Sequence, residues 1–530
     1  MSRDLHLPGR SVVRSTHGMA ATSMPIATLT ALDVLRAGGN ALDAAVAAVA
    51  VLGVVEPQST GIGGDCFCLY APAGTGSVVA LNGSGRAAAG ASIDFFERAG
   101  ISEFEVGSPH CVTIPGAVSA WETLLAAHGR KGLDELLQPA IALAEGGWPV
   151  HGRVAHDWAA NVDKLRAGGA DAYLPGGAAP QEGDVFASPA LAETLRRIAR
   201  HGARGFYEGP VAADIVATLR ARGGVQTEED FSAGATAAMF VEPISGKFRG
   251  YDVVQCPPNG SGIIVLMLLA LLERLGPAPD GPLGVQRMHR QIEAARLVYR
   301  DRDAFVADPA FTEVPPHLLS ADYLDGLAAL IRPDRALAEL PPAGSLPAHK
   351  DTVYLCVVDR DGNACSFINS LFMGFGGGIF AAESGVMLHN RGFSFRLQRG
   401  HPNGIAPGKR PMHTILPGML MQGGRAVMPY GVMGGHFQVM GQAWHVSNML
   451  DYGLDVQQSL DLPRVFPFAG KVEAERGVPA EALAGLAALG HDVEPIDSPH
   501  GGGQAIWIDH ATGTLAGGSD PRKDGMALGY

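Results

Sequence analysis

Apolar residues along this chain recur with two periods, and the change from one to the other divides it into helical and strand-like stretches. Residues 26–36 and 41–55 carry apolar positions at helical spacing on alanine-rich surfaces, separated by Gly38-Gly39, with Asn40 placed to cap the second helix. Residues 66–70 and 77–81 alternate as strands do and predict a hairpin across a Pro/Gly turn. From 116 to 302 the pattern is mainly helical, with amphipathic segments at 189–201 and 283–300. In the latter, Val285, Met288, Ile292, Ala295 and Tyr299 recur at helical spacing and read as core. Further strands are expected at 426–432 and 504–509.

The most informative stretch is 352–370. Residues 352–359 are β-branched, aromatic and aliphatic, Asp359-Arg360-Asp361-Gly362-Asn363 supplies turn chemistry, and 364–370 is a second apolar run. Two strands therefore meet at a tight turn, and the first begins with a threonine. A threonine hydroxyl is a poor nucleophile without a base beside it. Its own α-amine can be that base, but only if the chain is cut just before it. Such an amine titrates near roughly 7.7–8.0, so it can accept the hydroxyl proton at working pH. An ordinary buried hairpin explains the same pattern.

Composition narrows the partners. With 530 residues, 47% hydrophobic and 18% charged, the chain is globular and can bury a large core. A net charge of −13 without a basic run argues against nucleic acid and anionic membrane, and favours a small-molecule substrate. The longest uncharged apolar runs, 44–55 and 263–272, are too short to span a bilayer, and the first residues hold no apolar signal region, so a cytoplasmic location is expected. The six cysteines are scattered in apolar segments and read as reduced core residues. No histidine has partners at metal spacing, so neither metal nor cofactor is expected. Gly83-Ser84-Gly85-Arg86-Ala87-Ala88 approximates a dinucleotide fingerprint, but the strand before it belongs to a hairpin and Gly90 cuts short the helix after it. His500-Gly501-Gly502-Gly503 has no accompanying Gly-x-Ser-x-Gly and reads as a lead-in to a strand.

Several motifs, in order along the chain, resemble the γ-glutamyltranspeptidase family of self-cleaving amidohydrolases. They are the opening helices with Glu56-Pro-Gln-Ser-Thr-Gly-Ile-Gly-Gly, Thr113-Ile-Pro-Gly-Ala-Val, Cys256-Pro-Pro-Asn-Gly-Ser-Gly, the threonine hairpin, Lys409-Arg-Pro, Gly434-Gly435 and Gly518-Ser-Asp-Pro-Arg. The resemblance implies an α+β fold, the four-layer αββα sandwich of N-terminal nucleophile hydrolases, cut between Asp351 and Thr352 into fragments 1–351 and 352–530. The product would be a heterodimer of its own two fragments, with further dimerisation open. It also implies that Thr352 is the nucleophile, that Ser370 is the second hydroxyl bonded to it, and that the Gly434 and Gly435 N–H groups form the oxyanion hole. The proline-rich segment 312–351 reads either as a linker or as a precursor tail that clears the nucleophile after cleavage.

The departures from the family bear on substrate. Where γ-glutamyl enzymes hold the substrate carboxylate with arginine this chain has Ser84, and where they hold the α-amine with an acid it has Ser394, with Arg391 nearby. His413-Thr414 replace paired serines, and the lid region 395–411 is short. Together with His436, these residues favour an acyl group that carries a carboxylate and no ammonium, as in oxamate amidohydrolases or cephalosporin acylases. The alternatives are γ-glutamyl transfer or glutathione hydrolysis with a rearranged clamp, and a non-cleaving homologue that serves as a binding or scaffold protein.

Overall fold

The computed structural model describes residues 9–338 and 352–530. Asp351 and the stretch 339–351 of the proline-rich segment lie outside the described residues. The strands that build the sandwich are β1 (Val13–Ser15), β2 (Met19–Thr22), β3 (Asp65–Ala71), β4 (Val79–Gly83), β5 (Met239–Val241), β6 (Ile244–Phe248), β7 (Tyr251–Gln255), β8 (Val353–Val358), β9 (Ala364–Ser370), β10 (Gly418–Gln422), β11 (Arg425–Met433), β12 (Gly502–Asp509), β13 (Thr514–Ser519) and β14 (Met526–Gly529). They form two seven-stranded antiparallel sheets. One runs β1-β13-β12-β11-β10-β7-β6, the other β14-β2-β8-β9-β3-β4-β5.

Strand parity explains the four layers. On β8, Val353, Leu355 and Val357 face an outer core shared with helices α1 (Pro25–Arg36), α2 (Ala41–Val55) and α3 (Ala117–His128), while Tyr354, Cys356 and Val358 face the other sheet. Both faces are buried, so β8 reads as a continuous apolar run. A second outer core joins the first sheet to α4 (Gly262–Leu275), α5 (Val285–Phe305), α6 (Ala321–Leu330) and α7 (Phe437–Tyr452). Helix, sheet, sheet and helix follow in order: an αββα sandwich.

The sequence expectations land within two residues of most of these limits. Asn40 caps α2 in a capping box: its Oδ1 accepts the Leu42 and Asp43 N–H groups at 3.0 Å each, and Asp43 accepts the Asn40 N–H at 2.8 Å. Such a cap contributes about 1 kcal/mol. Gly83 and Gly85 serve close packing, since a Cβ on Gly85 would lie 2.0 Å from the Ile114 carbonyl oxygen. Residues 321–330 of the proline-rich segment form a helix that its composition does not suggest. Ser320 caps the ten-residue α6, which buries Leu324 and Leu327. At roughly 1.5–3 kcal/mol per buried leucine, 321–330 is packed into the fold.

After β13, Asp520 joins two elements through buried charges. It is held by Arg464, by the Arg522 guanidinium at 3.1 Å and by the Gly503 N–H at 2.8 Å, and Arg522 also pairs with Glu475 at 2.5 Å. Burial alone would raise the Asp520 pKa, but Arg464 and Arg522 outweigh it and hold the carboxyl below its ordinary range. Asp520→Asn should leave two arginines short of a buried anion and cost about 3–5 kcal/mol in denaturant unfolding at pH 7. Because the folded-state pKa is depressed, this difference should be complete above about pH 4 and shrink as the pH falls through the depressed value.

Candidate active site

The pairing of β8 with β9 and of β9 with β3 lines up three side chains in the space between the sheets. Val353 lies opposite Asn369 and Ser370 opposite Asp65, so Thr352, Ser370 and Asp65 share the face of Tyr354, Ile368 and Phe67. Thr352 Oγ1 is 3.0 Å from Ser370 Oγ, and both residues are almost fully buried. Ser370 Oγ also accepts the Phe372 N–H at 2.9 Å, which fixes its position beside Thr352. Phe372 holds φ at 78°, an uncommon conformation for a bulky residue that costs about 1–3 kcal/mol and is typical of functional sites.

β11 ends beside this row. Gly434 and Gly435 follow it with φ of 118° and 58°, and α7 begins at Phe437. Their carbonyls accept the Phe437 and Gln438 N–H groups, and among the described residues neither glycine N–H finds an acceptor in the protein. Two donors at a strand-to-helix turn suit a developing negative oxygen. His436, next in the chain, accepts a hydrogen bond at Nδ1 from Arg302 Nη1 at 2.9 Å and stacks on Phe468, so it braces this turn.

Arg391 is 1% exposed. Its guanidinium lies flat on the Phe372 ring, 3.5 Å from Cζ to centroid, and donates to the Met412 carbonyl at 3.3 Å and to Thr414 Oγ1 at 3.0 Å. Among the described residues no carboxylate forms an ion pair with it, and Nε has no acceptor. Burial pulls its pKa down to about 9, with Asp65 opposing and Arg302 adding to the shift. It remains charged at neutral pH.

The other residues singled out from sequence sit around this centre with their polar atoms engaged. Ser394 Oγ donates to the Met412 and Arg391 carbonyls. Ser84 Oγ accepts from Asn259, and its carbonyl accepts from Arg410. His413 Nε2 is 3.0 Å from Asp65 Oδ2, directed away from solvent. Ser84, Ser394 and His413 thus spend their side chains on the protein, while Thr414 holds Arg391. Asp65 and Phe372 were not picked out by sequence reasoning. Phe372 had a signal in its place two residues after Ser370, but Asp65 is linked to Ser370 only by strand register. Among the described residues no group of histidine, cysteine and acidic side chains could hold a metal ion, and no helix is long and apolar enough to cross a membrane.

An αββα sandwich with a buried threonine at the start of a central strand, a second hydroxyl beside it and a glycine turn at the end of a strand of the other sheet defines an amide-bond hydrolase of the N-terminal nucleophile class. The chain belongs to the gamma-glutamyltranspeptidase family, whose model matches residues 27–530. It is 36% identical to the glutathione hydrolase-like YwrD proenzyme of Bacillus subtilis (strain 168) over 98% of this chain and 99% of that protein. It is 35% identical to the oxamate amidohydrolase proenzyme of Klebsiella pneumoniae, covering 97% and 99%. The crystal structure of a cephalosporin acylase from Bacillus halodurans matches it with a TM-score of 0.92 at 37% identity, over 100% of this chain and 99% of that one.

The glycine turn allows a test of its geometry. A Cβ on Gly434 would meet Gly501 Cα at 2.7 Å in a conformation that L side chains rarely adopt. Gly434→Ala should therefore lower stability by about 1–3 kcal/mol, read as a drop in thermal midpoint. An unchanged midpoint would mean that the turn relaxes freely.

Proposed function

We propose that the protein is a self-processing amidohydrolase that removes a small carboxylate-bearing acyl group, oxamate-like or a dicarboxylate monoamide, through an acyl-enzyme on Thr352. The observation that carries this reading is Arg391: a buried cation on the wall that also positions Ser370, with no carboxylate partner and no acceptor for its Nε–H among the described residues. A buried unpaired charge costs several kcal/mol, and a substrate carboxylate gripped by the guanidinium fork would offset that cost. The name of the Klebsiella relative, an oxamate amidohydrolase, supports an acyl group of this kind. Glutathione hydrolysis would require a partner for an α-ammonium, and a buried arginine beside Ser394 repels one.

In maturation, Thr352 Oγ attacks the Asp351 carbonyl carbon and the peptide nitrogen leaves as the new α-amine. Water then hydrolyses the resulting ester, which yields fragments 1–351 and 352–530. In turnover, the α-amine takes the Thr352 proton as Oγ attacks the substrate carbonyl. The negative oxygen is met by the Gly434 and Gly435 N–H groups, each worth on the order of 3 kcal/mol in barrier. The amine passes its proton to the leaving nitrogen as the carbon–nitrogen bond breaks. It then deprotonates the water that releases the acid. Ser370 holds Oγ in line throughout.

Purified protein should separate under denaturing conditions into two fragments, the smaller beginning Thr-Val-Tyr-Leu, and Thr352→Ala should leave a single chain. A different amino terminus would remove Thr352 from the mechanism. For the substrate, Arg391→Gln should raise KM for glutaryl-p-nitroanilide by about 10- to 100-fold, the loss of one charge-assisted pair, and much less for pentanoyl-p-nitroanilide, with self-cleavage retained. Equal losses on both substrates would place the carboxylate elsewhere.

A further inference from the structure

Asp65 lies opposite Ser370 and His413 near Arg391, and neither has a part in the chemistry above, yet they are tied to it from two directions. The Asp65 carboxylate accepts the Gly85 N–H at 2.9 Å, the Gly116 N–H at 3.1 Å and His413 Nε2–H at 3.0 Å, with His389 Nδ1 at 3.7 Å. Burial would raise its pKa, but His389, His413 and the Gly85 N–H together hold it below the ordinary carboxylate range. It is an anion on the strand beside Ser370.

The tautomer of His413 follows from its neighbours. The Ile415 N–H points at Nδ1 at 3.3 Å, so Nδ1 accepts and Nε2 carries the proton given to Asp65. The titratable groups facing the ring are Asp65 on β3 together with His389 and Arg391, on the segment beyond β9. Burial first, and then Arg391, push its pKa down to about 3, so it is neutral at working pH. The backbone is fixed as well: His413 donates its N–H to Asn259 at 2.8 Å, and its carbonyl accepts from Ser261. The two groups that hold the Arg391 guanidinium, the Met412 carbonyl and the Thr414 hydroxyl, flank this residue in the chain.

We propose that Asp65 and His413 are a positioning pair: a neutral imidazole strut, anchored on a buried carboxylate, that sets the 412–414 segment against Arg391 and so fixes the carboxylate selectivity of the acyl pocket. The inference rests on the reading of Arg391 as the carboxylate ligand and adds the part that orients it. A guanidinium fork grips a carboxylate through two hydrogen bonds only when its plane is fixed. The Phe372 ring sets that plane from one side and the 412–414 segment from its edge. A substrate anion then meets the Arg391 guanidinium beside a neutral histidine.

The test uses the mature two-fragment enzyme with glutaryl- and pentanoyl-p-nitroanilide, and reads the ratio of their KM values. The ratio cancels the titration of the nucleophile's amine, which both substrates share. His413→Gln keeps a donor near the Nε2 position and should hold the ratio within about threefold of wild type. His413→Asn cannot reach Asp65 and should shift it against the glutaryl substrate by about tenfold or more, with kcat changed less than KM. In the wild-type enzyme the ratio should stay flat from pH 5.5 to 8.5, because the strut is neutral throughout. A change centred near pH 6–7 would make His413 a cationic ligand and overturn the proposal, and this measurement needs no variant. If His413→Asn keeps the ratio while Arg391→Gln loses it, the pair has no positioning role and the Arg391 reading stands. If Arg391→Gln loses activity equally on both substrates, the underlying reading fails first.

Discussion

The hydrogen-bonded row across β8, β9 and β3 constrains everything else in this molecule. Thr352 and Ser370 can meet at 3.0 Å only if β8 and β9 pair in one register, and a slip of one residue would send both hydroxyls into the helix layer. That register is held from both sides. Alternate residues of β8 enter two different cores, so neither face of the strand can be exchanged for the other. The turn before β3 is pressed so closely against the end of β9 that a Cβ on Gly64 would fall 2.4 Å from the Ser370 carbonyl oxygen. A dense αββα sandwich thus does one local job: it holds a short polar side chain at the end of a strand, between two sheets, with no room to turn away.

Placing polar chemistry in so dry a space raises the cost of every charge, and the molecule answers in two ways. Asp65 and Asp520 are surrounded by donors until their ionised forms are favoured despite burial. Arg391 is treated differently. It receives an aromatic face, a carbonyl and a hydroxyl, all of which suit a cation without neutralising it. The contrast separates the two roles: Asp520 completes a structural network, and Arg391 retains capacity for an anion from outside.

Much of the fold was legible in the sequence because its signals were local. The Gly38-Gly39-Asn40 break between α1 and α2, the Asp-Gly-Asn turn between β8 and β9 and the amphipathic 189–201 helix each depend on a few neighbouring residues. Family motifs supplied the pairing of Thr352 with Ser370 and the Gly434-Gly435 turn. What was hidden depended on distance in the chain. Asp65 looked like the last residue of a glycine turn, and only pairing across 305 positions, from 65 to 370, reveals it beside the site. His413 looked like a ligand, because nothing in its neighbourhood shows that a carboxylate 348 residues away occupies its Nε2. The helix 321–330 escaped notice because prolines on both flanks mask a segment whose few apolar residues find their core only after folding.

The same reasoning bears on why a neutral pocket wall accompanies a single buried arginine. If His413 were protonated near Arg391, two cations would share a dry space with Asp65 as their offsetting charge among the described residues, and buried like charges disfavour each other. Lowering the histidine pKa to about 3 removes that conflict over the whole physiological range and leaves one cation for one substrate charge. It also makes the histidine insensitive to proton concentration near neutrality.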